Sequence, residues 1–344
     1  MNKKNILVFR FSAMGDVAMV SPVIQQLCEQ HPEINIIFVS RFLFKPFFDT
    51  IPQVRFHPIY PKERHKGVRG LYKLFQELRN YKIDGIADLH DSLRSRILST
   101  FFRLTTVPIK RIDKGRMEKR ALTRSKDKHL IPLKHTIVRY AEVFQSLGFP
   151  FQITNKLVKK TRPLPSVFIP QFTPASASSG RIGVAPFAQH IYKVYPLDKM
   201  EEVIRVLSHS YELFIFGGGR EEREIAMEWA NKYKHVTSVI GAVDLARELD
   251  LMANLDLVLS MDSSGMHMAS LVGTRVISVW GPTHPYAGFL GFGQKEDDCL
   301  QFNHPARPSS IYGNKPCLCD GIPCIERISP EDIVKKIEQT LSYG

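Results

Sequence analysis

The chain has 344 residues, 44% of them hydrophobic, and a formal charge of +13. That length suits about two domains with ordinary cores, and no stretch approaches the ~18 uninterrupted apolar residues of a membrane span. The opening MNKKNILVFRFSAMGD does not read as a secretory signal, because Arg10 breaks its apolar run and Asp16 stops it. The chain is therefore expected in the cytoplasm, or on a membrane surface facing it.

The charge is unevenly shared. Residues 1–165 hold 31 of the 47 Lys and Arg but only 13 of the 34 Asp and Glu, so the first half favours an anionic surface or an acidic ligand. Its basic stretches are Lys62, Arg64, Lys66 and Arg69, then Lys110, Arg111, Lys114, Arg116, Lys119 and Arg120. Neither has the interleaved aromatics of a nucleic-acid stacking platform, so no nucleic acid is expected as a partner.

In chain order, residues 5–11 (NILVFRF) read as a strand, 12–16 as a turn, and 17–30 as a helix with apolar residues at helical spacing. Residues 34–40 (INIIFVS) are the next strand. This βαβ start lacks a G-x-G-x-x-G fingerprint; Gly15 and Asp16 stand at the turn instead. A carboxylate there projects above the sheet, although plain helix capping would also explain it. Residues 72–79 read as a helix, 85–89 (GIADL) as a strand, and HDSLRSR opens another helix. Asp88, His90, Asp91 and Arg94 thus gather at a strand's carboxyl end. Residues 135–148 form a helix with a glycine stop.

Residues 162–180 are rich in Pro and Ser and read as an interdomain linker. A strand at 181–185 follows, then a loop, PFAQHIYKVYP, with one prominent cation, Lys193. A strand at 213–216 runs into Gly217, Gly218 and Gly219, and the next helix begins with Glu221 and Glu222. A glycine turn after a strand suits close approach to a nucleotide, and a nearby carboxylate suits ribose hydroxyls. Residues 245–253 are helical. Residues 255–282, LDLVLSMDSSGMHMASLVGTRVISVWGP, make a complete strand–loop–helix–strand unit. Its loop offers Asp262, Ser263, Ser264 and Gly265 at a helix start, a natural seat for phosphate. Asp262 could equally only cap that helix, and His267 only pack beneath it. Of five cysteines, Cys299, Cys317, Cys319 and Cys324 fall close together. The C-x-C-x4-C spacing is not a usual structural zinc pattern, so free structural thiols are favoured over zinc or disulfides. Residues 329–341 are a final capped helix.

Together these segments resemble glycosyltransferase family 9, the ADP-heptose:lipopolysaccharide heptosyltransferases. The marks are FRFSAMGDVAMVSPV, DLHDSLRS and HTIVRYAEVFQSLG, then APFAQHIYKVYP, FIFGGGREERE, LVLSMDSSGMHMASLVGTRVISVWGPT and the cysteine tail before SPEDIV. The order of these pieces is specific; each alone is not. The resemblance implies an α/β GT-B fold of two Rossmann-like domains facing across a cleft. It would comprise an acceptor domain over 1–165, a donor domain over 178–328, and a helix over 329–344 that could pack back toward the first domain.

The resemblance also implies roles. Asp16 matches the general base, beside Ser12 and Gly15 in the acceptor-side turn. Lys193 matches the lysine that meets the donor diphosphate, and Glu221 or Glu222 the ribose-binding carboxylate. Asp262, Ser263, Ser264, Gly265 and His267 match the donor-binding helix start. Ser264 stands where the family usually has glycine, which leaves donor preference open. Arg64, Lys66, His90, Arg94, Arg120 and Arg139 are candidates for holding an acidic acceptor. The implied activity is inverting transfer of heptose from ADP-heptose to a Kdo- and phosphate-bearing lipid A core. It would need no metal or other cofactor and would act as a monomer at the inner face of the cytoplasmic membrane. Alternatives are a transferase or epimerase using another nucleotide sugar, and a non-catalytic nucleotide-sugar or polyanion-binding protein.

Overall fold

Two apolar, β-branched runs, KNILVF and RIGVA, each start a parallel sheet. The computed structural model describes residues 3–103, 105–172 and 179–342. The chain divides into two units, Met1–Lys114 with Lys134–Thr154, and Gly115–Leu133 with Asn155–Gly344.

The first unit runs β1 (Lys4–Phe9), α1 (Met14–Gln30), β2 (Ile34–Ser40), β3 (Val54–Pro58), α2 (Gly67–Arg79), β4 (Gly85–Asp88), α3 (Leu93–Arg103) and β5 (Ile109–Arg111). The short α4 (Arg116–Leu122) belongs to the second unit, and α5 (Thr136–Ser146) returns to the first. The sheet order is β3-β2-β1-β4-β5, all parallel. Strand side chains alternate between the two faces. Leu7, Phe9, Ile37 and Val39 meet Leu71, Leu74, Leu78 and Phe102 of α2 and α3. Ile6 and Val8, on the other face, are equally buried. Strand order reverses between β1 and β4, so their connections diverge and open a crevice at the carboxyl ends.

The second unit holds β6 (Arg181–Ala185), α6 (Leu197–Leu207), β7 (Glu212–Ile215), α7 (Arg220–Lys232), β8 (Val236–Ser238), α8 (Leu245–Ala253), β9 (Leu257–Met261), α9 (Ser264–Leu271), β10 (Arg275–Trp280), β11 (Cys299–Gln301), the hairpin strands β12 (Leu318–Cys319) and β13 (Ile322–Pro323), and α10 (Pro330–Ser342). Its main sheet runs β11-β10-β9-β6-β7-β8, again all parallel. This is the doubly wound order, with its reversal between β6 and β9. Both expected Rossmann-like sheets are therefore present. No helix among the described residues is long and apolar enough to cross a membrane.

Four expectations are corrected. The break does not fall near residue 165. Gln26 and Gln30 of α1 hydrogen-bond Thr154 and Gln152, which keeps the chain on the first unit to Thr154. Asn155 Oδ1 then accepts from Gly293 N at 2.7 Å, and Lys160 N donates to Val272 O at 3.0 Å. The interposed segment 115–133 joins the second unit because Lys128 donates to Pro305 O and Pro308 O and Leu133 N to Tyr286 O. The expected linker over 162–180 is not a free connection. Its Phe168 and Phe172 rings lie 5.9 and 5.7 Å from that of Phe214 on β7, while residues 173–178 lie outside the described residues. The last helix, for which packing back toward the first domain was one option, places Ile333 and Ile337 in the second unit's core and packs on α6. Finally, Cys319 and Cys324 are disulfide-bonded rather than free, because the β12–β13 hairpin brings them together; Cys28, Cys299 and Cys317 are free.

Candidate functional site

The first unit gathers its charged groups at the β1/β4 reversal. Arg10 follows β1 and is 8% exposed. Its Nη1 donates to Leu89 O at 2.8 Å, and its Nη2 lies 2.5 Å from Asp16 Oδ2. Asp16 occupies the first turn of α1, where the helix dipole favours a carboxylate, and Oδ2 also accepts from Ala13 N at 3.3 Å. The Asp16 side chain is still 26% exposed, so a ligand proton can reach it. His90 stands beside them. Its Nδ1 accepts from Phe11 N at 3.1 Å, which leaves the proton of the neutral ring on Nε2. Burial, reinforced by Arg10 and Lys114, pushes its pKa down to about 3. His90 is thus a neutral N–H donor at ordinary pH.

Asp88 is a fixture of the same turn. It is fully buried and accepts from His90 N, Asp91 N and Arg111 Nε at 3.1, 2.8 and 3.0 Å. Ser12 lies in the β1–α1 connection and Gly15 in the first turn of α1, both partly exposed. The other proposed acceptor residues are not gathered. Arg139 is buried, with Nε on Lys134 O at 3.2 Å and Nη1 on Asp113 O at 3.4 Å, so it serves the fold. Arg64 pairs with Glu77 at 3.5 Å and lies over the Tyr60 ring. Lys66 and Arg94 are exposed at the starts of α2 and α3, and Arg120 is carried by α4 in the second unit.

The second unit builds its site at the β6/β9 reversal. The loop after β6 makes a tight turn, Ile191–Lys193, and Asp262 directly follows β9. Lys193 Nζ lies 3.1 Å from Asp262 Oδ2, with the side chains 15% and 9% exposed. Gly313 permits this, because a Cβ there would sit 2.2 Å from Lys193 Cδ. Ser263 caps α9 by position, without a side-chain cap hydrogen bond. Its first N–H groups therefore point into the crevice end, unsatisfied by the helix itself. Gly265 is where α9 crosses β6: a Cβ would meet Ala185 Cβ at 2.4 Å. His267 is buried two residues further along α9.

The glycine turn after β7 separates the two glutamates. Gly218 N donates to Glu222 Oε2 at 2.7 Å, so Glu222 folds back over the turn, partly buried; Glu221 is exposed. Gly217 has room for no side chain, with Glu222 Oε2 and Phe187 each 2.7 Å from a Cβ placed there. The Phe187 ring in turn stacks parallel to Trp229 at 6.2 Å.

Two arginines were missed in the sequence. Arg10 was visible there only as a charge interrupting an apolar strand. Arg307 gave no signal, since its loop reads as solvated. It is 2% exposed and donates to Gly281 O, Phe302 O and Thr283 O at 2.6, 2.7 and 2.9 Å, pinning the loop after β10. Burial lowers its pKa to about 10.

Comparison with known proteins bears on this geometry. The model of a family described as glycosyltransferase family 9 (heptosyltransferase) matches residues 71–307. A lipopolysaccharide core heptosyltransferase of Haemophilus influenzae is 23% identical over 293 residues, covering 82% of this chain and 80% of the relative. A glycosyl transferase family 9 structure from Veillonella parvula aligns with TM-score 0.75 and 17% identity, over 100% of this chain and 99% of that one. An E. coli heptosyltransferase solved with ADP gives TM-score 0.67 and 18% identity, over 97% and 99% of the chains. At such identities the structures establish the fold.

Proposed function

Because this chain belongs to glycosyltransferase family 9, the heptosyltransferases, we propose that it moves a heptose from ADP-heptose to an acidic lipopolysaccharide inner-core acceptor, a Kdo-bearing lipid A, with inversion. One observation carries this reading. Each sheet presents a complementary charged group at its own reversal: a carboxylate, Asp16, in the first unit, and a cation, Lys193, with a helix N-terminus in the second. Inverting transfer needs both, a base for the acceptor hydroxyl and positive charge for the leaving diphosphate.

Asp16 takes the proton of the acceptor hydroxyl as its oxygen attacks the anomeric carbon. A positioned base of this kind contributes about 10²–10⁴-fold. Arg10 fixes the carboxylate's orientation. The bond from the anomeric carbon to the diphosphate oxygen breaks, and ADP leaves with the electron pair. Lys193 and the N–H groups at Ser263 to Gly265 meet the charge that develops there, so the leaving group needs no metal. Asp262 holds Lys193 in place before the donor arrives. Glu222, turned in over the glycine turn, takes the ribose hydroxyls in preference to the exposed Glu221. The basic first half suits an acidic acceptor and an anionic membrane surface, and it supports action at the cytoplasmic face of the membrane. The donor and acceptor are supported by the names of relatives, among them a lipopolysaccharide core heptosyltransferase and a heptosyltransferase solved with ADP.

The test is ADP release from ADP-heptose with a Kdo-bearing lipid A acceptor, with and without a chelator. Release by the wild type, insensitive to chelator and reduced about 10²–10⁴-fold in Asp16→Ala, is expected. ADP binding without release points to another sugar or acceptor. No ADP binding at all removes Lys193, Asp262 and Glu222 from the donor site.

A further inference from the structure

The three cysteines ahead of α10 form one cluster whose geometry a single disulfide does not explain. The Sγ atoms of Cys317, Cys319 and Cys324 all lie within 4.8 Å of one another, and all three residues are buried. The β12–β13 hairpin builds the cluster: Cys319 pairs with Ile322, and Cys324 N donates to Cys317 O at 2.9 Å. Cys319 and Cys324 are joined, yet Cys317 Sγ sits only 2.9 Å from Cys324 Sγ. A disulfide uses two sulfurs and gives no reason to hold a third against them.

The surroundings suit a charged thiolate group. Phe302 and Ala306, both only partly buried, pack on the cluster. Two cations interact electrostatically with Cys317: Arg307, and Lys128, whose Nζ is anchored on Pro305 O and Pro308 O at 2.9 and 3.0 Å.

We propose that Cys317, Cys319 and Cys324, once reduced, hold one thiophilic divalent d-block ion, with Zn²⁺ the natural candidate. Three soft thiolates select such an ion over Mg²⁺ or Ca²⁺. Zn–S bonds of ~2.3 Å in a tetrahedral site set sulfurs ~3.8 Å apart, so Cys317 and Cys324, now 2.9 Å apart, part by about an ångström, and the two sulfurs of the opened disulfide move out to the same spacing. The balance is explicit. A phosphine reductant supplies two electrons, and two protons come from water, to turn the Cys319–Cys324 disulfide into two thiols. Three thiols then release three protons to the medium as the ion binds, and water fills the fourth position. Three thiolates and a dication leave one negative charge, which Lys128 and Arg307 face.

The site lies apart from the transfer chemistry but braces it. The same segment supplies Gly313 under the Lys193 stem. Glu326 O accepts from Lys199 Nζ at 2.8 Å, and Ile328 O accepts from Tyr195 Oη at 2.8 Å. Tyr192, Val194 and Pro282 share with Cys317, Cys324 and Ile325 the lining of one cavity of ≈ 350 Å³.

The experiment uses the full-length chain, reduced with a phosphine until all five cysteines titrate as thiols, then freed of reductant and metal under nitrogen. Titration with Co²⁺ is expected to give one ion per chain and a thiolate-to-cobalt charge-transfer band, bleached by Zn²⁺. Cys317→Ser abolishes the band, and Cys28→Ser and Cys299→Ser leave it. A footprint on the unmutated chain guards against misfolding of a variant: Zn²⁺ should shield Cys317, Cys319 and Cys324 from iodoacetamide, read by mass spectrometry. A reduced chain that takes up no Co²⁺ overturns the proposal. So does a band that survives Cys317→Ser, or Zn²⁺ that shields none of the three; the cluster would then be a site of disulfide exchange alone.

Discussion

Lys193 Nζ and Asp262 Oδ2 stand 3.1 Å apart, and they arrive from the two strands that flank the second sheet's reversal. Both side chains are mostly buried, so removing one leaves the other's charge desolvated and unpaired, a loss of about 3–5 kcal/mol in such settings. Lys193→Met should therefore lower both stability and turnover. Adding Asp262→Asn separates the two effects. The double variant is expected to recover most of the melting temperature, while kcat stays about 10²–10³-fold down because the leaving group still lacks its cation. Recovery of activity together with stability would show that Lys193 matters only as a structural partner.

Gly265 supports a second prediction. Its place under Ala185 Cβ, at 2.4 Å from any added Cβ, fixes how closely the start of α9 approaches β6. Gly265→Ala should cost about 1–3 kcal/mol by overpacking and push the helix N-terminus away from its ligand, weakening ADP binding. Ala185→Gly in the same chain relieves the clash and should restore both. Calorimetric melting and ADP titration measure the pair. ADP affinity unchanged in a destabilised Gly265→Ala chain would detach the helix start from the donor.

How far the sequence discloses this site depends on the kind of signal. The two parallel sheets were readable because their strands, such as NILVF and LVLS, are continuous apolar runs punctuated by glycine turns. The positions of Asp16 and Asp262 were readable because each lies near the start of a helix that follows such a strand. Arg139 was misread as an acceptor ligand because a lone arginine on a helix carries no sign of which way it faces, and here Lys134 O and Asp113 O turn it inward. The unit boundary was misplaced for a similar reason. Contacts such as Lys128 with Pro305 and Pro308 join residues far apart in sequence and leave no local pattern. The Cys319–Cys324 bond depends on a two-residue hairpin pairing too short to leave an alternating pattern.

The glutamates after the glycine turn give opposite expectations. Glu222 Oε2 takes the Gly218 N–H at 2.7 Å, whereas Glu221 is exposed. Glu222→Ala should loosen the turn and raise the KM for the nucleotide sugar about tenfold or more, as loss of a charged hydrogen bond of about 1.5–3 kcal/mol implies. Glu221→Ala should change it less than twofold. Steady-state kinetics on both variants decide the matter, and the reverse ranking would move the ribose contact to Glu221.

Acid should unfold the protein partly through two histidines, His284, which is buried, and His90, which is partly buried. His284 is 7% exposed; its Nδ1 accepts from Tyr286 N at 3.1 Å, and burial, then Arg307, lowers its pKa to about 4. His90 is lowered to about 3. Both titrate near 6.5 when unfolded. From pH 6.5 down to about 4 the unfolded chain binds protons that the folded chain refuses, so stability is present above 6.5 and is lost as pH falls. For His284 the loss is on the order of 2 kcal/mol across that window. Glu248 acts with the opposite sign, since burial and Asp244 raise its pKa to about 7 and the folded chain gains the extra proton first. Comparison of the wild type with His284→Asn cancels that contribution, and Asn keeps an acceptor for the Tyr286 N–H. Urea midpoints at pH 7.5, 6.0 and 5.0 should fall less steeply in His284→Asn than in the wild type. Parallel slopes would mean that the His284 ring charges in the folded state as easily as in the unfolded one.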